Sequence, residues 1–214
     1  MCGIVGYVDF ENNLSNEYGI LEKMNRVQAH RGPDASGMWL CREAAIAHRR
    51  LAVVDIENGK QPMIRKFGDK EYIITYNGEL YNTNDVKAKL EQLGHSFKTN
   101  SDTEVLLIAY IQWGEGCLEH LNGIFAFGVW NNYDRTLFLA RDRFGVKPLF
   151  YAKRGSKLLF ASEMKALLEH PSVEPVINKD GIAEIFGLGP TRTPGFGVFR
   201  DIYEVKPGYF LKYN

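Results

Sequence analysis

A reactive thiol stands directly behind the first methionine, in the opening stretch MCGIVGYV. Apolar residues follow at once, and they would bury this chain end as a strand and hold Cys2 in place. Cysteine is small enough for Met1 to be trimmed, which would give Cys2 both a thiol and a free α-amine. Their ordinary pKa values, roughly 8.5 and roughly 7.7–8.0, are close enough for the amine to take the thiol proton. Such a pair attacks carbonyl carbon and forms a thioester.

The alternative for Cys2 is structural. Cysteine is among the most buried residue types, so Cys2 could simply be a small core residue at the start of a strand. Position alone favours this alternative, and the catalytic interpretation depends on what else the sequence offers.

Thioester chemistry needs hydrogen-bond donors directed at the developing oxyanion. YNGELY offers two, the side-chain amide of Asn77 and the backbone N–H of Gly78. Asn-Gly is also the commonest signal for a tight hairpin. The residues that follow, ELYNTND, run into a helix start and give no clear return strand. Spacing alone leaves the two interpretations even.

A substrate also needs charged groups that hold it. Arg50 could grip a carboxylate in bidentate fashion, or it could be a strand-edge arginine paired with a nearby acid. Asp102 lies in the first turn of a predicted helix, where the macrodipole favours an anion whatever the function. Neither residue is decisive by itself.

The elements that must position these residues follow from apolar periodicity. Helices are predicted over about residues 17–29 and in a segment that ends at Gly94. A third helix, SDTEVLLIAYIQW, opens with a capping box in which Ser101 accepts from the Glu104 amide and the Glu104 carboxylate reaches back. Seven apolar runs predict strands, the last two joined as a hairpin: CGIVGYV, AAIAHRRLAVVD, EYIITY, IFAFGVW, TLFLARD, PLFYAK and KLLFASE.

Several of these runs are apolar on consecutive residues, which predicts strands covered on both faces. Two antiparallel sheets packed together, with helices outside, would meet that demand. The tail from Gly187 is predicted to form extended connectors and a closing hairpin around Lys206-Pro207-Gly208.

Composition limits the classes of protein to which this chain can belong. The 214 residues, 45% hydrophobic, suit one large domain, and 26 basic residues balance 26 acidic ones, so no global field invites nucleic acid or a membrane surface. No apolar run reaches the roughly 18 residues of a membrane span, and the start lacks the basic residues of a signal peptide. Three widely spaced cysteines predict neither a disulfide framework nor a zinc cluster, and a cytoplasmic location is expected.

Six motifs then occur in a fixed order: MCGIVGY, HRGPDASG, RRLAVVD, YNGELYN, SDTEVLL and LARDRFGVKPLFY. Together they resemble the glutaminase domain of glutamine-hydrolysing asparagine synthetase, a class II glutamine amidotransferase, over nearly the whole chain. The HRGPD and ARDRFGVKPL forms are similar to the asparagine synthetase branch in particular.

The resemblance implies an α+β fold, the four-layer αββα sandwich of N-terminal-nucleophile hydrolases, with residues 1–214 as one glutaminase domain. It implies Cys2 as nucleophile with its own α-amine as base, and Asn77 and Gly78 as the oxyanion hole. It also implies the residues that bind glutamine: Arg50 for the α-carboxylate, Asp102 for the α-ammonium, and Leu51, Ala52, Val53, Val54 and Glu79 as pocket walls. The HRGPD loop would border the site with no catalytic role.

By the same resemblance, the products are glutamate and ammonia, and the ammonia passes to an activated aspartate. ATP, magnesium and aspartate would bind a C-terminal synthetase domain or subunit, because the pyrophosphate loop of that domain does not occur in this sequence. No cofactor or metal is expected on this chain, and a homodimer is left open. Two alternatives remain: a glutaminase domain serving another acceptor, and a non-catalytic, glutamine-binding regulatory domain.

Overall fold

A computed structural model describes residues 1–53, 55–189 and 191–214. Within these residues the strands form two antiparallel sheets. The first sheet has the order β10-β8-β9-β1-β3-β2 and contains β1 (Gly3–Asp9), β2 (Ala35–Leu40), β3 (Ala44–Arg50), β8 (Phe150–Arg154), β9 (Lys157–Ala161) and β10 (Ile202–Glu204). The second has the order β11-β7-β6-β5-β4 and contains β4 (Met63–Phe67), β5 (Lys70–Leu80), β6 (Gly123–Asn131), β7 (Thr136–Arg141) and β11 (Phe210–Tyr213).

Helices cover the outer face of each sheet. Buried side chains of α1 (Tyr18–Arg26) and α5 (Met164–Leu168) pack on the first sheet. Those of α2 (Thr83–Gln92) and α3 (Asp102–Trp113) pack on the second. The described residues also form α4 (Cys117–His120) and α6 (Lys179–Leu188).

The two sheets share a core that alternation along each strand builds. From β1, Ile4 and Val8 point into the gap and meet residues such as Trp130 of the second sheet. Val5 and Tyr7 point the other way, onto the helices. All seven residues of β1 are buried, as its consecutive apolar run predicts. The four-layer αββα fold is therefore confirmed.

The predicted helix ends are largely confirmed. The helix expected over residues 17–29 is α1, followed by a 3₁₀ turn at Ala29–Arg31. At the end of α2, Gly94 adopts φ +91° and donates to Glu91, and His95 donates to Leu90. This is the Schellman arrangement, in which glycine takes the left-handed conformation at little cost.

Two predictions of local structure are wrong, and one alternative that the sequence leaves open is decided. Ser101 caps α3 through the amide of Thr103, and the Glu104 carboxylate accepts from Thr99 and pairs with Arg65, so no capping box forms. Asn77-Gly78 is not a hairpin turn but lies inside β5, paired with β6. The expected hairpin at residues 206–208 joins different sheets, because β10 pairs with β8 and β11 with β7.

Candidate active site

Strand alternation brings the predicted site residues to one end of the gap between the sheets. Gly3 pairs with Arg49 in the antiparallel β1–β3 ladder. Continuing this register by one residue places Cys2, just before β1, opposite Arg50 at the end of β3. Asn77 is on the inward side of β5, in phase with Ile73 of the shared core. A cavity of about 190 Å³ opens here, lined by Met1, Cys2, Arg50, Leu51, Val53, Gly59, Gln61, Tyr76, Asn77, Gly78, Glu79, Ser101, Asp102, Thr103 and Lys147. It is smaller than pockets for drug-sized ligands and suits a small molecule.

Cys2 is half-buried at the floor of this cleft. The Leu51 amide donates to its Sγ at 3.4 Å, and Sγ lies 3.6 Å from the Leu51 carbonyl, to which the thiol can donate. Arg31 fixes the backbone by donating from Nε to the Cys2 carbonyl at 2.9 Å, while its guanidinium pairs with Glu163. Burial raises the pKa of the Cys2 thiol; the Leu51 amide and nearby positive charges act against that rise.

Asn77 supplies a buried amide group with an unused donor. The residue is 1% exposed, and its Nδ2 has no hydrogen-bond acceptor among the residues that the structure describes. Close packing, and not a tight turn, explains the glycine at position 78. A Cβ there would lie 2.5 Å from the Ile124 carbonyl and 2.6 Å from the Tyr76 ring, so close packing of β5 on β6 requires glycine.

Arg50 organises the segment that follows β3, residues 51–53 and 55–59, which we name the Arg50 loop. Its guanidinium donates to the carbonyls of Asp55 and Ile56, both at 2.7 Å. From the HRGPD motif, Asp34 accepts from the Ala52 amide at 2.8 Å. The motif's glycine, Gly32, allows this approach, because a Cβ there would lie 2.3 Å from the Arg49 carbonyl carbon.

Asp102 is buried at the start of α3, on the opposite wall. Its Oδ2 accepts from the Tyr76 hydroxyl at 2.8 Å and from the Leu80 amide at 3.3 Å. Burial raises the pKa of its carboxyl, and the two hydrogen bonds oppose that rise. These contacts exceed what a helix-dipole charge alone requires, since they tie Asp102 to β5.

Most of the predicted site residues therefore meet in one cleft. Glu79 lines it, exposed to solvent, and so do Leu51 and Val53 of the Arg50 loop. Ala52 is not among the described residues that line it; its amide is turned to Asp34. Val54, also predicted, lies outside the described residues.

Gln61 and Lys147 are among the polar residues of this cleft that sequence reasoning missed. Gln61 ties β5 to α3, accepting from the Tyr76 amide at 2.6 Å and donating to the Thr103 hydroxyl at 3.3 Å. Nothing in the local sequence around it marks this role. Lys147 comes from LARDRFGVKPLFY, a motif that contributes to the resemblance without a function being attached to its lysine.

The described part of the chain lacks a metal-ligand cluster and a membrane-spanning helix. No group of three or more His, Cys, Asp and Glu residues there could hold a metal ion. None of the described helices is long and apolar enough to cross a membrane.

Comparison with solved structures defines the class of fold. The chain superimposes on the allosteric regulatory enzyme of purine biosynthesis with a TM-score of 0.69, covering 99% of this chain and 46% of that one at 22% identity. It superimposes on glutamine phosphoribosylpyrophosphate amidotransferase from B. subtilis with a TM-score of 0.68 over 99% and 47%, also at 22% identity. At this identity the likeness establishes the fold alone, the four-layer αββα sandwich.

The sequence defines the family. The family described as glutamine amidotransferase domain matches residues 1–214, so the chain belongs to that family. It is 51% identical to asparagine synthetase [glutamine-hydrolyzing] 3 of Bacillus subtilis (strain 168), over 100% of this chain and 35% of that protein. It is 39% identical to asparagine synthetase [glutamine-hydrolyzing] of Zea mays, over 78% and 28%. The chain thus spans about a third of the length of these relatives.

Proposed function

We propose that this domain hydrolyses the side-chain amide of L-glutamine to glutamate and ammonia. The observation that carries the proposal is the unpaired Nδ2 of Asn77 in the cleft that holds the Cys2 sulfur. Leaving a buried donor unpaired costs about 1–3 kcal/mol, and a substrate oxygen that enters this cleft would give the donor a use. Stabilising an oxyanion next to a thiol is such a use.

In the proposed reaction, Met1 is first removed, which frees the α-amine of Cys2 and clears one wall of the cleft. The amine takes the thiol proton, and the thiolate attacks the side-chain carbonyl carbon of glutamine. Asn77 Nδ2 and the Gly78 N–H stabilise the oxyanion. The C–N bond breaks as the amine returns the proton to nitrogen, releasing ammonia, and water hydrolyses the thioester to glutamate and free thiol.

Substrate binding is assigned to the charged walls. Arg50 holds the α-carboxylate of glutamine and Asp102 its α-ammonium, while Leu51 to Val54 and Glu79 close the sides. Asp102 and Arg50 lie on α3 and β3 respectively, so the two charges hold the amino-acid end from opposite walls. We expect Arg50→Ala to raise the KM for glutamine more than it lowers kcat.

For the whole protein we propose that the ammonia is used to make asparagine from aspartate and ATP. The naming and the greater length of the related synthetases support a C-terminal synthetase domain or subunit as partner, with ATP and magnesium bound there. The proposed reaction draws only on groups of this chain and on water, so we propose no cofactor for residues 1–214. A cytoplasmic location and a homodimer belong to the same proposal.

The test is ammonia release from glutamine by the untagged chain, with removal of Met1 verified by intact mass. Cys2→Ala should abolish release. Asn77→Ala should lower kcat by roughly 10²–10³, the usual effect of losing one oxyanion donor. Asn84→Ala, on the exposed face of α2, is the matched control and should leave kcat unchanged. Full activity in Cys2→Ala would refute the proposal.

A further inference from the structure

The segment after β7, residues 142–147, is built around a buried carboxylate, and we name it the Asp142 loop. Asp142 is fully buried. Its Oδ1 accepts from the amides of Phe144 and Val146 at 3.1 and 3.0 Å. Its Oδ2 accepts from Phe125 and Lys147 at 3.2 and 3.0 Å. Four amides on one carboxylate fix the backbone on both sides of the turn.

Arg141, the last residue of β7, also holds this loop. Its guanidinium donates to the carbonyls of Lys147 at 2.8 Å and of Gly145 at 2.7 Å. Gly145 adopts φ +65°, and a Cβ there would lie 2.7 Å from Pro207, so the turn requires glycine. The backbone of Lys147 is thus held at both its N–H and its C=O.

The side chain that this loop presents to the cleft is a cation. Lys147 is half-buried and lines the same cavity as Cys2. No described residue accepts a hydrogen bond from its ammonium or pairs with it. Asp142 and Arg141 thus hold the backbone of Lys147 in place, and its ammonium has no bonded partner among the described residues. This geometry favours an anion in the cleft.

We propose that Lys147 supplies one of the positive charges that stabilise the thiolate of Cys2. The inference rests on the proposed function, since it assumes that Cys2 is the nucleophile. The chain's terminal amine and then Arg50 add more to the positive potential at Cys2 than Lys147 does. Glu79 and Asp102, which line the same cavity, oppose it. Burial raises the pKa of the thiol, and a nearby ammonium counteracts that rise. Lys147 acts through Cys2 and is a positioning residue, not a group that touches the reacting atoms.

The experiment measures the thiolate directly. The Met1-free chain is alkylated with iodoacetamide between pH 5 and 10, and modification of Cys2 is followed by peptide mass, which separates it from Cys41 and Cys117. Lys147→Met should move the midpoint for Cys2 upward by about one pH unit, so that alkylation below both midpoints is about tenfold slower. Lys147→Arg, which keeps the charge, and Lys89→Met, on exposed α2, should match the wild type.

The proposal is overturned if the Lys147→Met curve coincides with the wild type, or if Lys147→Arg is shifted as far as Lys147→Met. A rise in the KM for glutamine with an unchanged alkylation curve also overturns it and assigns Lys147 to the substrate's carboxylate. Lys147→Gln gives a second neutral variant should Lys147→Met fold poorly. Because alkylation needs no turnover, a shifted midpoint without glutamine hydrolysis refutes the proposed function alone.

Discussion

Two loops flank the cleft, and they are built in different ways. Each follows a strand that ends in a buried arginine, Arg50 on β3 and Arg141 on β7, and each arginine donates to carbonyls of its own loop. The Asp142 loop adds a buried carboxylate that collects four amides. The aspartate of the Arg50 loop, Asp55, is at the surface, where it accepts from Asn58 and Asn100.

The Arg50 loop also exposes apolar side chains. In the Arg50 loop, Val53 is 74% and Ile56 68% exposed, so apolar surface faces solvent beside the cleft. A wall held by a buried carboxylate resists displacement, because moving it would leave buried donors unpaired. A wall held by a strand-end arginine and surface bonds can adjust around a ligand at less cost. The comparison therefore assigns fixed electrostatics to one side of the cleft and adaptable contacts to the other.

The largest expected effect is on stability, at the fixed wall. In Asp142→Asn an NH₂ group replaces one carboxylate oxygen, leaving two amides facing a donor. We expect the free energy of unfolding to fall by about 3 kcal/mol. With an m-value of roughly 2–3 kcal/mol/M, the urea midpoint should drop by about 1 M. Asp69→Asn, in an exposed turn, is the control. An unchanged midpoint would show that the Asp142 network is not what fixes this wall.

The strands beneath the two loops should respond differently to acid. On β3, His48 is fully buried two residues before Arg50, and its Nδ1 bonds the Thr75 hydroxyl at 3.1 Å. Burial, and then the charge of Arg50, lower the pKa of His48 to about 3. β7, TLFLAR, contains no histidine and no carboxylate.

The sign of the effect follows from proton uptake. Unfolded His48 binds a proton below about pH 6.5, whereas the folded form does not until about pH 3, so its stabilising contribution is complete above 6.5 and lost as the pH falls. Between pH 7 and pH 5 this amounts to about 2 kcal/mol. Urea unfolding at both pH values should show that His48→Asn loses less stability than the wild type. His170, with a pKa lowered to about 4, is unchanged in both proteins, so an equal loss would refute the assignment to His48.

The sequence predicts the inner strands well, because they depend on local patterns, whereas the convergence of the site residues is expected from the family resemblance. The consecutive apolar residues of IVGYV and LFLA lie in β1 and β7, which are buried on both faces. It does not predict β2 and β4, which are edge strands with half-exposed side chains and therefore a weak apolar signal. Nor does it predict α6, whose apolar residues are exposed and whose two glycines favour a loop.

Within the site, motifs identify the residues but not the contacts between distant segments. The sequence places Glu104 correctly for a capping box, yet Arg65 and Thr99 bind its carboxylate in the folded chain. It identifies Asn77-Gly78, while the pairing with β6 decides that this is strand and not turn. Partners of this kind come from elsewhere in the chain, so no local spacing contains them.

The smallest expected effect tests the adaptable wall. Asp55→Asn replaces the oxygen that accepts from the Asn100 amide at 2.8 Å with a donor, in a residue that is partly exposed. Because no buried group is involved, the urea midpoint should match that of Asp69→Asn. Under the proposed function, the KM for glutamine should rise by about three- to tenfold with kcat unchanged, since Cys2 and Asn77 are untouched. A loss of stability as large as that of Asp142→Asn would mean that both walls are equally fixed, and the contrast between the two loops would not hold.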